Sequence, residues 1–260
     1  QFDDERSEPF VGATGVVHPL LGEAVTQFQA QAYKELLPSN GPVKTQVVGA
    51  YNSTVEEQAQ RVREYMNYQI MHVMKEYDPD LDQLLFYLPL SGSAFKKVYY
   101  DQTMGRAVAQ FIPAEDLIVP YEATDLESCI RVTHRVKMPL NEIRKLQASG
   151  FYSAVKVEGG DVYDTSQVKE EIDKLQGVEP NDYGSGDDDI VTLYEIHTNL
   201  EIEGFEDISD TGETTGIKLP YIVTLDLNSN NLLSIRRNWS NTDPLKTRLN
   251  TLCITSSYPA

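Results

Sequence analysis

Residues 85–101, from Leu85 to Asp101, read LFYLPLSGSAFKKVYYD, and the hydrophobic pattern of the chain changes within this stretch. Before Gly92, apolar residues recur at helical spacings, whereas beyond it they alternate with polar ones. An alternation of period two is typical of a strand with one buried face. The sequence therefore predicts amphipathic helices before Gly92 and mostly antiparallel strands with interspersed short helices after it, the pattern of an α+β fold.

The first predicted helix covers Pro19–Leu37, whose apolar residues fall on one face. The sequence PSNGP at 38–42 ends it, because proline and glycine interrupt helices. A Val-rich stretch, Val43–Val48, then predicts a short strand. This part of the chain is thus expected to be a helix followed by an extended segment.

Two more helices are predicted to follow. Ser53 and Glu56 have the spacing of a capping box, in which each side chain accepts the other's free backbone N–H. They stand before a long helix from about Thr54 to Tyr77. A third helix, Asp80 to about Leu90, is more hydrophobic on all sides and is expected to be buried. Pro89 is expected to break or kink its end.

Seven strands and two short helices are predicted in the rest of the chain from alternation and turn residues. The strands are Ala94–Tyr100, Arg106–Ile112, Leu117–Val119, Ile130–Met138, Ile190–Leu200, Leu219–Leu227 and Leu232–Asn238. The helices are Pro139–Ser149, which Gly150 follows, and Thr165–Leu175. Five parts are expected: a helical part over 1–92, a β-rich part with one helix over 93–155, a partly flexible acidic insertion over 156–216, a β-hairpin with a return segment over 217–250, and a tail over 251–260.

Acidic residues dominate the charge of the chain, with 40 Asp and Glu against 22 Lys and Arg and a net charge of −18. This excess excludes tight, sequence-independent binding to nucleic acid, which needs clustered Lys and Arg, and it excludes binding to anionic membrane surfaces. Between Lys156 and Gly216 there are 18 acidic and 3 basic residues, a net charge of −15. The run Asp187–Asp189 favours a solvated loop, and the alternative is a calcium site, although the EF-hand spacing is absent.

No apolar run is long enough to cross a bilayer, which takes about 20 residues, and the longest run is Leu84–Leu90. Two widely separated cysteines, Cys129 and Cys253, give no disulfide framework and fit a reducing compartment. The sequence therefore predicts a soluble protein without a membrane-spanning segment.

Candidate catalytic residues are few. The four histidines, His18, His72, His134 and His197, share no metal-ligand spacing, so each is expected to be a packed or half-exposed side chain. Glu195 lies two residues before His197 on a predicted strand, close enough to pair, but without a third partner a structural role is favoured. The sequence thus predicts no catalytic, cofactor-binding or metal-binding residues.

Two alternatives to a purely structural role remain open. A carboxylate-dependent hydrolase could use Glu195 and Glu201 for acid–base work. Two basic pairs in predicted strands lie near aromatic residues: Lys96-Lys97 with Tyr99 and Tyr100, and Arg236-Arg237 with Trp239. Such rings could stack on nucleic-acid bases, but a sheet surface with interleaved side chains is the commoner explanation.

Several longer phrases follow one another in the sequence: VHPL at 17–20, GPVKT at 41–45, EYMNYQ at 64–69, LFYLPLSGSAFKKVYYD at 85–101, PAED at 113–116 and ATDLE at 123–127. Together they resemble the portal proteins of short-tailed, double-stranded DNA bacteriophages, the P22-like portal family. The resemblance covers roughly Val17–Ala154 and resumes at RRNW, 236–239, and DPL, 243–245. The phrase at 85–101 is long and specific, whereas Lys156–Gly216 matches only in position and general character.

The resemblance implies a ring-forming structural subunit, usually dodecameric, at one capsid vertex of the virion, assembled in the host cytoplasm. Double-stranded DNA would pass through its channel without sequence specificity, driven by the terminase, and tail or adaptor proteins would dock to it. The matching part would be the wing region, while the stem, clip and crown regions would be missing. No enzymatic activity and no cofactor are implied. The alternative is another virion assembly protein, such as an adaptor or a scaffold.

The end of the chain departs from the family's pattern. After DPLKTRL at 243–249 the family leads us to expect a phrase like HFVHYxFLP, whereas the chain reads TLCITSSYP at 251–259. Codons can be chosen for Asn250–Pro259 that give HFVHYKFLP when they are read one base earlier. We therefore predict that 251–260 is an out-of-frame tail. Sequencing the encoding DNA tests this, since codons incompatible with the shifted reading would contradict it.

Overall fold

The computed structural model describes residues 19–101, 104–157, 190–208, 212–240, 242–249 and 251–256, with side chains described up to 252. The chain divides after Gly92 into two compact units, 1–92 and 93–260. Helices dominate the described part of the first unit, and antiparallel strands dominate the second. The predicted α+β class is confirmed.

Three α-helices lie in the described part of the first unit: α1 (Leu20–Leu36), α2 (Ser53–Tyr68) and α3 (Tyr77–Ser91), with a π-helical turn at Gln69–Val73 between the last two. Polar contacts join α1 to α3. The Gln29 side-chain amide donates to the Asp82 carboxylate at 2.7 Å, and the Tyr33 hydroxyl donates to the Asp78 carboxylate. Val25 on α1 is buried, as are four leucines on α3: Leu81, Leu84, Leu85 and Leu88. As predicted, α3 is the buried helix.

The prediction of one helix over Thr54–Tyr77 is wrong. Helix α2 ends at Tyr68, the π-helical turn follows, and α3 begins before the predicted Asp80. Pro79 explains the position of the break. A proline has no N–H to donate and clashes inside a continuous helix, but it is accommodated in the first turn, where α3 holds it.

The predicted capping box is also wrong by one position. Asn52, not Ser53, precedes α2, and its side-chain oxygen accepts the Val55 backbone N–H at 2.9 Å. Glu56 accepts the Tyr51 hydroxyl instead of closing a capping box. Asparagine is as good an N-cap as serine, so the sequence offered two adjacent starts for one helix.

The predicted strand at Val43–Val48 is not formed. The side chain of Asn67 on α2 binds the backbone of Val43 from both sides, accepting its N–H at 2.9 Å and donating to its carbonyl at 3.2 Å. Gly41 permits this close approach, because it has a φ of +87° and a Cβ there would lie 2.4 Å from the Asn67 side chain. An amide side chain thus replaces the neighbouring strand that Val43 would otherwise need.

Pro89 does not break α3, which continues to Ser91. The helix ends instead at Gly92, whose φ of +77° is left-handed and whose N–H donates to the Leu88 carbonyl at 2.9 Å. A left-handed glycine just past the last residue is the commonest helix stop. The helix therefore runs directly into the first strand.

Beyond Gly92 the described residues form eight strands and one α-helix. The observed bounds of each strand and helix predicted there lie within one residue of the expected ones. The predicted helix Thr165–Leu175 lies outside the described residues. They are β1 (Ser93–Asp101), β2 (Arg106–Ile112), β3 (Leu117–Ile118), β4 (Arg131–Pro139), α4 (Leu140–Ala148), β5 (Ile190–Leu200), β6 (Leu219–Asp226), β7 (Leu232–Arg237) and β8 (Leu252–Ser256). Only β8 was not predicted. Its origin as an out-of-frame tail stays a prediction.

The strands form two antiparallel sheets, a three-stranded sheet in the order β2-β1-β8 and a five-stranded sheet in the order β3-β4-β5-β6-β7. An apolar cluster joins them, in which Ile112 from the smaller sheet packs with Leu117 and Val132 from the larger one. Farther along the same face, the larger sheet packs against α4 through Ile143, which is completely buried and contacts the cluster of Val191 and Leu193 on β5. Strand β5, in the acid-rich stretch, is the central strand of the larger sheet.

No helix in the part of the chain that the structure describes is both long and apolar enough to cross a membrane.

Candidate functional site

A buried ionic cluster is formed where β1 of the smaller sheet meets the larger sheet. Its members are Lys97 on β1, Glu195 and His197 on β5, and Arg236 on β7. The Lys97 ammonium lies 2.6 Å from one oxygen of Glu195, and His197 Nε2 lies 2.9 Å from the same oxygen. The guanidinium of Arg236 lies 3.5 Å from the other oxygen. Glu195 is thus held from three directions.

Burial and charge set the protonation of this cluster. Burial alone would raise the pKa of Glu195, but its hydrogen bond with His197 and the charge of Lys97 outweigh that effect and hold the pKa well below its usual range. Burial, together with the charge of Lys97, lowers the pKa of the neighbouring His134 to about 4. Burial raises the pKa of Tyr152 to about 12. At neutral pH the cluster therefore contains an anionic Glu195 beside a neutral His134.

The cluster has the features of a structural fastening between the sheets. The cavity beside it, lined by His197, Arg248 and Thr251, has a volume of only about 10 Å³, enough for one water molecule and not for a substrate. Both oxygens of Glu195 are already engaged by cations.

The predicted pairing of Glu195 with His197 is confirmed, and its third partner is Lys97, which sequence reasoning missed. Lys97 lies 98 residues away along the chain, so no local spacing reveals it. One signal was available. Of two consecutive lysines on a strand, alternation places one on the buried face, and a buried lysine requires a carboxylate.

The structure does not bring Glu195 and Glu201 together for hydrolysis. Glu195 is buried within β5, whereas Glu201 is exposed just beyond the end of that strand. Six residues of extended chain span about 20 Å, and two carboxylates that act on one glycosidic bond lie roughly 5–10 Å apart.

Histidines and acidic residues form no metal site in the described part of the chain. No group of three or more His, Cys, Asp or Glu side chains there is arranged to hold a metal ion. His134 and His197 are buried on adjacent strands and His72 is exposed. His18 and the acidic run Asp187–Asp189 lie outside the described residues.

An open groove of about 370 Å³ lies where β6 begins and β7 ends. We call it the Trp239 groove, and it is lined by Phe205, Glu206, Tyr221, Arg237, Trp239, Asp243 and Lys246, among others. The indole of Trp239 meets the ring of Tyr221 edge to face, with 5.2 Å between centroids. Phe205 is 60% exposed beside them. The groove thus presents aromatic surface to solvent.

The basic pair Arg236-Arg237 divides between the two sites, because consecutive strand residues point to opposite faces. The guanidinium of Arg236 points inward to Glu195 and lies over the Phe151 ring at 4.6 Å. That of Arg237 lies 5.7 Å from the Trp239 ring centroid in the groove. Within the described ranges no side chain or carbonyl binds Arg237 by a hydrogen bond or ion pair, so its donors are available.

Arg248 joins the C-terminal segment to the turn before β4. Its guanidinium donates to three backbone carbonyls, those of Cys129 at 2.9 Å, Glu127 at 3.1 Å, and Leu126. Carbonyls in a tight turn have no neighbouring strand to bind, so a planar fork of donors satisfies several at once.

We expect Arg248→Lys to lower the free energy of unfolding by about 1–3 kcal/mol, because an ammonium cannot reach all three carbonyls and leaves some unsatisfied. Urea titration followed by the fluorescence of Trp239, the single tryptophan, measures this. Arg144→Lys is the matched control, since Arg144 is exposed on α4, and it should change the free energy by less than about 0.5 kcal/mol. Equal midpoints for both variants would contradict the role of Arg248.

We compared the chain with protein-family models and with curated proteins. No family model matches it, and no curated protein matches it.

Proposed function

We propose that this chain is a structural subunit of the portal ring of a short-tailed, double-stranded DNA bacteriophage, through which genomic DNA is packaged and ejected. The observation that carries the proposal is the phrase Leu85–Asp101, the longest and most specific of those that resemble the portal family. It comprises the end of α3, the left-handed Gly92 and all of β1.

Two residues within that phrase, Lys97 and Gly92, have structural roles in this chain that depend on their residue type. The ammonium of Lys97 forms the ion pair with Glu195 that holds the two sheets together, and the residue is only 8% exposed. Gly92, in the same phrase, adopts a backbone conformation that other residues rarely take. Within the phrase, Gly92 thus ends α3 and Lys97 joins β1 to the larger sheet.

The ionic cluster supports a non-enzymatic role. Its carboxylate is engaged by Lys97, His197 and Arg236, and the adjoining cavity holds one water at most. A conduit needs neither an acid–base pair nor a cofactor. The groups that looked most reactive in the sequence are accounted for by the packing of two sheets.

Exposed apolar side chains support a subunit that packs against others. Helix α2 has no buried residue. The helices and turns of the first unit expose several large apolar residues: Leu20, Leu21, Phe28, Leu36, Val62, Tyr65, Met66, Tyr68 and Met71. Apolar surface of this extent usually marks a contact with another protein.

The net charge of −18 suits a channel that DNA passes through. Weak or repulsive contact with phosphates lets the duplex slide, and a ring multiplies the field of one subunit by the number of subunits. The charge excludes a tight, static DNA-binding protein, and it is compatible with a conduit.

Electron microscopy of the product of the whole, in-frame gene tests the proposal. We expect closed rings with a central channel, and we expect them to bind the terminase that is encoded with them. Monomers at all concentrations would contradict the portal assignment. Rings that bind tail components but not the terminase would favour the alternative, a head-to-tail adaptor.

A further inference from the structure

We propose that copies of this chain join head to tail, with the loop Pro120–Glu122 of one copy seated in the Trp239 groove of the next. The inference rests on the proposed ring function and deepens it, since it names one contact between neighbouring subunits. It follows from two surfaces of the second unit that are complementary and lie apart from each other.

The first surface is a loop that projects an aromatic ring into solvent. The Ala123 N–H donates to the Pro120 carbonyl at 3.0 Å and closes a turn, which leaves Tyr121 and Glu122 at its tip. Tyr121 is fully exposed, at 104% of its reference area, and Glu122 is exposed beside it. A tyrosine combines large apolar area with little conformational entropy, which makes it an effective interface residue.

The second surface is the Trp239 groove, in which Arg237 has no carboxylate partner among the described residues and the ring of Phe205 is exposed. Arg237 has a guanidinium over the Trp239 ring and no carboxylate partner among the described residues. A carboxylate such as that of Glu122 matches the planar fork of a guanidinium. The exposed ring of Phe205 offers a face on which the ring of Tyr121 can pack. Such a contact would bury aromatic surface on both sides.

The charges of the groove favour the loop Pro120–Glu122, which carries the single carboxylate of Glu122, over a nucleic acid strand. Backbone N–H groups of Glu206 and Gly204 lower the pKa of Glu206, and hydrogen bonds from Thr247 and neighbouring backbone lower the pKa of Asp243, so both remain anionic. The groove's other cation, Lys246, is paired with the buried Asp207. A chain of phosphates would meet two carboxylates, whereas a single carboxylate needs only Arg237.

The positions of the two surfaces make the contact head to tail. Strand β3, which leads into the loop, is one edge of the five-stranded sheet, and β7, which ends in Arg237, is the other. Four strand spacings separate the edges by about 19 Å, so a loop at one edge does not reach the groove at the other. Contacts between two different surfaces repeat from copy to copy and give a ring when the rotation closes.

The first test is titration of the chain with a synthetic peptide of residues 117–126, LIVPYEATDL, followed by Trp239 fluorescence. We expect a saturable change, with roughly tenfold weaker binding to Arg237→Glu. Phe205→Ser is a second groove variant, and Arg144→Glu places the same charge change outside the groove. A peptide carrying Tyr121→Ser and Glu122→Lys should not bind. No change with the unmodified peptide, equal binding by Arg237→Glu and Arg144→Glu, or an Arg237-dependent change with oligo(dT) instead would overturn the proposal.

The second test distinguishes this contact from the ring itself. A chain with Tyr121→Ser and Glu122→Lys has no functional loop, and a chain with Arg237→Glu has no functional groove. Mixed together, they should form dimers and nothing larger in sedimentation velocity, while each alone stays monomeric. Absence of the mixed dimer would overturn the inference. If the whole gene product still forms rings when it carries Arg237→Glu, the portal function stands and this contact is contradicted. If the peptide binds in the groove but the whole gene product forms no rings, the contact stands and the portal function is contradicted.

Discussion

Replacing Lys97 with Met is expected to lower the free energy of unfolding by about 3–5 kcal/mol. The substitution keeps the length and volume of the side chain but removes the ammonium that lies 2.6 Å from Glu195. Glu195 would remain buried with one cation fewer, and an uncompensated buried charge is costly. Urea titration followed by Trp239 fluorescence measures the loss.

Two further variants separate the ion pair from general effects of losing a lysine. Lys145→Met breaks an exposed pair with Glu142, 2.5 Å apart on α4, and should cost less than about 1 kcal/mol. Lys97→Met combined with Glu195→Met removes both charges, and it should cost less than the sum of the two single substitutions. A loss at Lys97→Met no larger than that at Lys145→Met would show that the cluster does not fasten the sheets.

Alternation of apolar and polar residues located the strands well, because it reflects a property of each strand itself. Strand β5 pairs on both sides and still follows its expected bounds from Ile190 to Leu200. Val43–Val48 has strand-forming residues too, but a strand also needs a partner. In the described part of the chain the side chain of Asn67 binds the Val43 backbone instead, and nothing local to either segment reveals it.

Helix boundaries failed where two local signals competed. Asn52 and Ser53 are both good caps, and Pro79 can stand either after a helix or in the first turn of one. The sequence settles neither choice, because the difference depends on which residues the finished packing buries. Before Gly92, Pro89 was a competing signal for the end of α3 and misled, whereas the change of hydrophobic pattern at Gly92 marked the boundary correctly.

The ionic cluster was half visible from the sequence. Glu195 and His197 share one face of one strand, so their pairing follows from spacing alone. Lys97 and Arg236 come from other strands, and only the packing of the sheets brings them in. The Trp239 groove was not visible at all, since it is assembled from separate segments around Phe205, Tyr221 and Trp239.

Acidification from pH 7.5 to 5 is expected to lower the free energy of unfolding by about 2 kcal/mol through His134 alone. Burial holds the pKa of His134 at about 4 in the folded chain, whereas a histidine side chain exposed to solvent in the unfolded chain has a pKa of 6.5. As the pH falls below 6.5, His134 becomes protonated in the unfolded chain but stays neutral in the folded chain until the pH approaches 4. The stabilisation is therefore complete above pH 6.5 and is lost as the pH approaches 4.

The surroundings of His134 support this direction. Its Nδ1 atom is buried without a hydrogen-bond partner in the described residues, so a proton there would be unsatisfied. Lys97 and His197 oppose a positive charge on it, while Glu195 and Asp116 favour one but do not outweigh burial. Glu195 also has a lowered pKa, but its contribution is lost only below its ordinary pKa of 4.5 and leaves the range above pH 5 to the histidine.

His134→Gln should flatten the dependence of unfolding free energy on pH between 7.5 and 5, whatever its effect on stability at neutral pH. His72→Gln is the control, because His72 is exposed on the π-helical turn and its loss should leave the slope as in the unmodified chain. Urea midpoints at four or more pH values give both slopes. The same slope in His134→Gln and in the unmodified chain would show that the buried histidine does not govern stability in this range, because the two differ only in a group that can titrate there.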